Sequence, residues 1–147
     1  MKPSKLIRIA IEKEIEAYEL YTNVARRTDN PAAKALLQEL AAEEDKHRAL
    51  LEGLKPEQVQ SFKPPRLRDL QITEFLSAKP LGPDSGLQDV LIHAMKREQR
   101  ALEFYEAMAG ATQDAALRTL LEKLATMEKS HKARLEALYE EVFMREM

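Results

Sequence analysis

This chain has no cysteine and no tryptophan, only 4 glycines, and aromatic side chains at 5% of its 147 positions. Without cysteine there is no disulfide, thiolate zinc site, iron-sulfur cluster or thiol nucleophile, so any chemistry must run on oxygen and nitrogen ligands. Scarce glycine and few β-branched residues argue against a β fold, and the abundant Glu, Lys, Leu and Ala are the composition of an all-helical protein. Long hydrophobic runs are also missing. Arg8 and Glu12 interrupt the N-terminal apolar residues before a signal-peptide core or membrane span can form, so a soluble, cytoplasmic protein with no membrane partner is expected. Charge of one sign is absent too: 23 basic and 25 acidic side chains are well mixed, giving a net charge of -2. No sequence-wide field favours nucleic acid, and the cluster Lys96, Arg97, Arg100 reads as solvated helix surface. The length and 44% hydrophobic content suit one domain, residues 1–147.

What is present is helical periodicity. Ile7, Ile11, Tyr18, Tyr21 and Ala25 recur at spacings of three and four and mark one buried face over residues 5–27. After the cap candidates and proline of "TDNP", Ala33, Leu37, Leu40, Leu51 and Leu54 carry a second stripe to about residue 54, with Gly53 near its end. Five prolines between residues 55 and 84 then break the pattern, leaving room for a short helix around "LRDLQITEFL". Asp84 or Ser85 can cap a third helix whose face runs through Leu87, Leu91, Ala94, Ala101, Leu102, Tyr105 and Met108 to Gly110. Thr112 or Asp114 opens the fourth, striped by Leu117, Leu121, Leu124, Leu135, Leu138 and Val142. Short links within 5–54 and within 85–146 imply antiparallel hairpins, and the linker 55–84 is long enough to travel the length of a bundle. An all-α four-helix bundle with one long crossover follows.

The chain also repeats. "EIEAYELY" at 14–21 returns as "EQRALEFY" at 98–105, and "EDKH" at 44–47 returns as "EKSH" at 128–131, both displaced by 84 residues. Each stripe has a polar interruption at its middle: Glu14 and Glu98 singly, Glu44 with His47 and Glu128 with His131 as pairs three apart on one helix side. Four carboxylates and two imidazoles gathered in an apolar core cost several kcal/mol for each uncompensated ion. No Lys or Arg is placed by the stripes to face inward, whereas two divalent cations would neutralise the four carboxylates. Mixed carboxylate and imidazole ligands suit iron or manganese, accept zinc, and are too nitrogen-rich for a dedicated magnesium or calcium site.

On these six positions and two spacings the chain resembles the ferritin-like proteins of the rubrerythrin group over essentially its whole length. The resemblance implies a ferritin-like bundle holding two iron ions, with Glu14 and Glu98 as lone ligands and Glu44, His47, Glu128 and His131 as paired ones. It further implies that Glu44 and Glu128 bridge the metals. Tyr21 and Tyr105, each seven residues after the lone Glu, match family tyrosines that hydrogen-bond to ligand carboxylates. Two departures accompany the match. Rubrerythrins proper carry a rubredoxin module with cysteine-bound iron, so here electrons must come from an external donor. Family members also tend to carry an additional third-helix carboxylate one turn from the ligand, where this chain has Met95 and Ala101.

The function implied is that of a non-haem di-iron oxidoreductase reacting with hydrogen peroxide or dioxygen, in a homodimer such as the family commonly forms. The alternatives are a ferroxidase that passes iron through the site, and a non-catalytic bundle that keeps metal only for stability. His93, with no Glu three residues before it, is expected at the surface or rim. Glu16, Glu43, Glu103 and Glu106 are expected on solvated faces, Glu43 and Glu103 nearest the site's edge. Tyr18 and Phe104 are expected to pack, and Tyr139, Phe143 and Met144 either to cap the core or to bury against a second subunit.

Overall fold

A helix striped with leucine and alanine at spacings of three and four is stable only when that stripe is covered, and four such helices can cover one another. The computed structural model, which describes residues 2–63, 81 and 85–145, shows this arrangement. Helix α1 (Pro3–Arg27) folds back on α2 (Pro31–Glu52), and α4 (Leu87–Ala111) folds back on α5 (Ala115–Tyr139). A short α3 (Pro56–Val59) follows the first hairpin, and a π-helical turn (Glu140–Met144) ends the second. The hairpins then dock with α1 against α4 and α2 against α5. Among the described residues there is no strand, and no helix is long and apolar enough to cross a membrane. The short helix expected around "LRDLQITEFL" and the cap candidate Asp84 lie outside the described residues.

Side-chain caps fix where two helices begin. Asn30 accepts a hydrogen bond from the Ala33 amide at 2.9 Å, and Asp114 accepts one from the Leu117 amide at 2.8 Å, satisfying donors that a helix start leaves open. Both caps stand at equivalent places in the repeat. The third long helix differs: Gly86 is its N-cap and makes no side-chain bond, so Ser85 does not cap it. The start of the linker is pinned instead of free. Lys63 donates its amide to Ala111 and Gln113 to Ser61, and Phe62 is buried beside them over the end of the bundle. No sequence periodicity marks this contact.

The apolar interior falls into two clusters. One joins Leu6, Ile9 and Ala10 of α1 to Phe104, Met108, Leu117 and Leu121; the other joins Val24 and Ala25 to Leu37, Leu40, Leu91 and Leu135. A layer of polar side chains lies between them. The α1 stripe sits differently from its sequence reading, because Tyr18 is 40% exposed and Ile11 only partly buried. At 100° per residue the face centred on Ala10, Glu14, Ala17 and Tyr21 leaves Tyr18 one step outside it. Phe104 packs as expected and is fully buried. Tyr139 and Phe143 pack together at 5.2 Å over one end of the core, whereas Met144 remains 47% exposed.

Candidate metal centre

Midway along the bundle each helix presents its interrupting residues inward. Glu14, Glu44, His47, Glu98, Glu128 and His131 are all at most 3% exposed. They form two overlapping quartets, Glu14, Glu44, His47, Glu128 and Glu44, Glu98, Glu128, His131, with ligand atoms in each within 4.8 Å of one another. Glu44 and Glu128 belong to both. The imidazoles of His47 and His131 lie parallel with centroids 5.7 Å apart. Their Nδ1 atoms face the carboxylates: His47 lies 3.0 Å from Glu128 Oε1 and 3.3 Å from Glu44 Oε1, and His131 lies 3.0 Å from Glu44 Oε1.

These approaches are close, yet none is aligned as a hydrogen bond. Glu14 Oε2, Glu44 Oε1, Glu98 Oε2, Glu128 Oε1 and both nitrogens of each histidine are buried without a hydrogen-bond partner. Buried polar atoms are otherwise almost always satisfied, and the four carboxylate oxygens with the two Nδ1 atoms that face them form a donor set awaiting an acceptor of lone pairs. Oxygen and nitrogen donors in this mixture fit divalent transition-metal ions, so the residues present fit the group.

The two tyrosines explain which oxygens remain open. Tyr21 Oη donates to Glu98 Oε1, and Tyr105 Oη donates to Glu14 Oε1, each at 2.5 Å. Each tyrosine thus serves the carboxylate of the opposite repeat, tying hairpin to hairpin and leaving Oε2 of both glutamates for another partner. Burial, with the charges of Glu98 and Glu14 respectively, raises both phenols well above their ordinary value, so they remain donors. Tyr105→Phe should leave Glu14 Oε1 buried without a donor and destabilise the metal-free protein by about 1–3 kcal/mol, read from the denaturant midpoint.

Electrostatics without metal show the strain of the arrangement. Burial, followed by the Glu44 charge, raises Glu14 from 4.5 to about 8, and burial with Glu98 and Glu44 raises Glu128. Burial alone would lower the histidines, but attraction to Glu14 and Glu44 lifts His47 to about 9, and attraction to Glu44 and Glu98 lifts His131 to about 10. Glu44 goes the other way: burial raises it, and the neighbouring His131 and His47 outweigh that and hold it below the usual range. The metal-free centre therefore takes up protons where a metal-bound one would not.

Residues outside the sequence-derived set also frame the site. Glu43 Oε2 lies 3.4 Å from His131 Nε2 and accepts from Arg134 Nη1 at 3.0 Å, while Arg134 Nη2 reaches Glu39 at 2.8 Å. Arg134 follows His131 by three residues, the one spacing signal available for it. Lys13 and Arg97, each preceding a lone glutamate and themselves 84 apart, flank the other side with side chains 11% and 15% exposed. Arg97 is therefore not solvated helix surface. Both meet Glu16 Oε2 at 3.2 Å. His93 is half-buried and belongs to neither quartet.

The fold has known counterparts. A Thermotoga maritima protein described as a ferritin-like diiron-carboxylate protein superposes with a TM-score of 0.73 at 21% identity, covering 96% of each chain. A hypothetical protein of Pyrococcus furiosus superposes with a TM-score of 0.68 at 27% identity, covering 95% of this chain and 89% of its own. No curated protein matches the sequence. The bundle is thus of the ferritin-like type, and because the Rubrerythrin family model matches residues 5–139, from the first stripe through the second Glu-x-x-His pair, the chain belongs to the rubrerythrin family.

Proposed function

We propose that the six residues hold two iron ions and that the protein is an oxidoreductase reducing hydrogen peroxide or dioxygen. The observation that carries this reading is the convergence of six unpartnered ligand atoms, one from each residue, at the buried middle of the bundle. In this reading Glu44 and Glu128, which belong to both quartets, would serve both ions, and Glu14 with His47 and Glu98 with His131 would complete the two ligand sets. Once bound, the metal pair supplies the redox couple and Lewis acidity that oxygen and nitrogen side chains lack.

The protein's own residues do the remainder. Tyr21 and Tyr105 fix the rotation of Glu98 and Glu14, so that one oxygen of each stays directed at the centre. Glu43, held by Arg134, stands beside the far nitrogen of His131 and orients that ring. The apolar clusters on either side keep bulk water from the carboxylates. Reduction of hydrogen peroxide to two waters consumes two electrons and two protons. These 147 residues contain no cysteine for a thiolate-bound iron, so in this reading the electrons would arrive from a donor outside them.

The test is anaerobic loading with ferrous ion, followed by hydrogen peroxide or air in stopped flow. About two irons per chain, oxidised far faster than in buffer, support the reading. Binding of less than one iron, or oxidation no faster than the buffer's, sinks it. Release of many oxidised irons per chain would instead make iron handling the activity.

A further inference from the structure

The two flanks of the centre are built differently. On the α2 and α5 side, Arg134 ties Glu39 and Glu43 together across the helices, with the paired histidine rings beneath. On the α1 and α4 side, a crevice with room for about one water-sized molecule reaches inward to Glu14, Glu44, Glu98 and Glu128. Its walls include Ala17 and Ala101, equivalent positions of the repeat whose side chains are single methyl groups. Larger side chains at either position would fill it. The unpartnered Glu14 Oε2 and Glu98 Oε2, with Glu44 Oε1 and Glu128 Oε1, belong to the residues at its floor.

The rim of this crevice is cationic. Lys13 and Arg97 line it, and Arg97 spans the gap, donating to the Lys13 carbonyl oxygen at 3.1 Å and to Glu16 at 3.2 Å. His93 nearby is lowered first by burial and then by Arg97, Lys96 and Lys13, which marks the neighbourhood as electropositive. An electropositive mouth above a carboxylate floor raises the local concentration of anions and opposes the approach of free cations.

Resting on the metal reading above, the geometry points to the α1–α4 crevice as the port of the centre, admitting slender uncharged or singly anionic ligands about one water molecule in cross-section and excluding cations and bulkier molecules. Size selection comes from Ala17 and Ala101, and charge selection from Lys13 and Arg97.

Azide tests the port without any turnover, because it is a small monoanion that gives ferric centres a visible absorption band. Full-length iron-loaded protein is mixed with azide in stopped flow, with iron per chain measured in parallel. For the native protein, association should slow as salt rises. Lys13→Gln with Arg97→Gln should slow it about tenfold at low salt and flatten that salt dependence. Ala17→Leu with Ala101→Leu should abolish fast association at unchanged iron content; if that pair fails to hold iron, Ala101→Val carries the same comparison. Unchanged azide association in an iron-holding alanine variant overturns the port while leaving the metal reading intact. A native chain that holds no iron removes both.

Discussion

Replacing Glu44 by alanine should empty the centre of metal and lower the melting temperature by roughly 10 °C. Glu44 Oε1 lies close to both histidines, 3.3 Å from His47 and 3.0 Å from His131, much as Glu128 Oε1 does at 3.0 and 3.5 Å, and Glu44 is shared by both quartets. Its removal therefore damages two ligand sets at once. Breaking a buried charge cluster by deleting one partner costs roughly 3–5 kcal/mol, and in a domain of this size each kcal/mol is worth about 2–4 °C. Iron per chain and the peroxide reaction should fall together to background. Exposed Glu19 replaced by alanine is the control and should change neither. A Glu44→Ala protein that retains its full iron and rate would remove Glu44 from the centre. One that melts lower, when the native protein showed no reaction to lose, would make the bundle a metal-stabilised scaffold.

The six candidate ligands were legible because each breaks an apolar stripe at its middle, and because the break recurs 84 residues later. Burial of Glu14 or Glu128 in an apolar interior is anomalous enough for a single sequence to display it. The partners of Tyr21 and Tyr105 were not legible in this way. Spacing places each tyrosine two turns from the glutamate of its own helix, whereas the structure pairs it with the glutamate of the other hairpin. That pairing depends on how two rigid hairpins dock, which no local periodicity encodes. The same limit hid Arg97: its basic neighbours Lys96 and Arg100 suggested a solvated face, and only the approach of α1 converts it into a bridge to Lys13 and Glu16. Tyr18 was misplaced for a smaller reason, since a spacing of four from Glu14 fits a stripe as well as the spacing of three that Ala17 occupies. The β-bridge at Phe62 arises where the linker meets the α4–α5 turn, a contact between distant segments with no repeating pattern behind it.

Metal should also reverse the pH dependence of stability. In the metal-free protein, Glu14 is raised from 4.5 to about 8, His47 from 6.5 to about 9 and His131 from 6.5 to about 10. Each group binds a proton in the folded state over a range where the unfolded chain has released it, so stability falls as pH rises through that range. For the histidines the contribution is complete below pH 6.5 and is lost as pH climbs through their folded values; for Glu14 the decline begins near 4.5 and ends near 8. Glu44, held low, acts oppositely, but only below its ordinary 4.5. Between pH 6.5 and 9 the metal-free chain should therefore melt at progressively lower temperature. With iron or manganese bound the same side chains must be deprotonated to ligate, so protons compete with metal and acid loosens the complex. The loaded protein should instead gain stability from pH 5 to pH 8, and the separation between the two melting curves should widen across that interval. Calorimetric scans at matched pH, with and without a chelator, measure both slopes. Parallel slopes would mean that protons and metal do not share the same lone pairs, and the buried carboxylates and imidazoles would then not be the ligands.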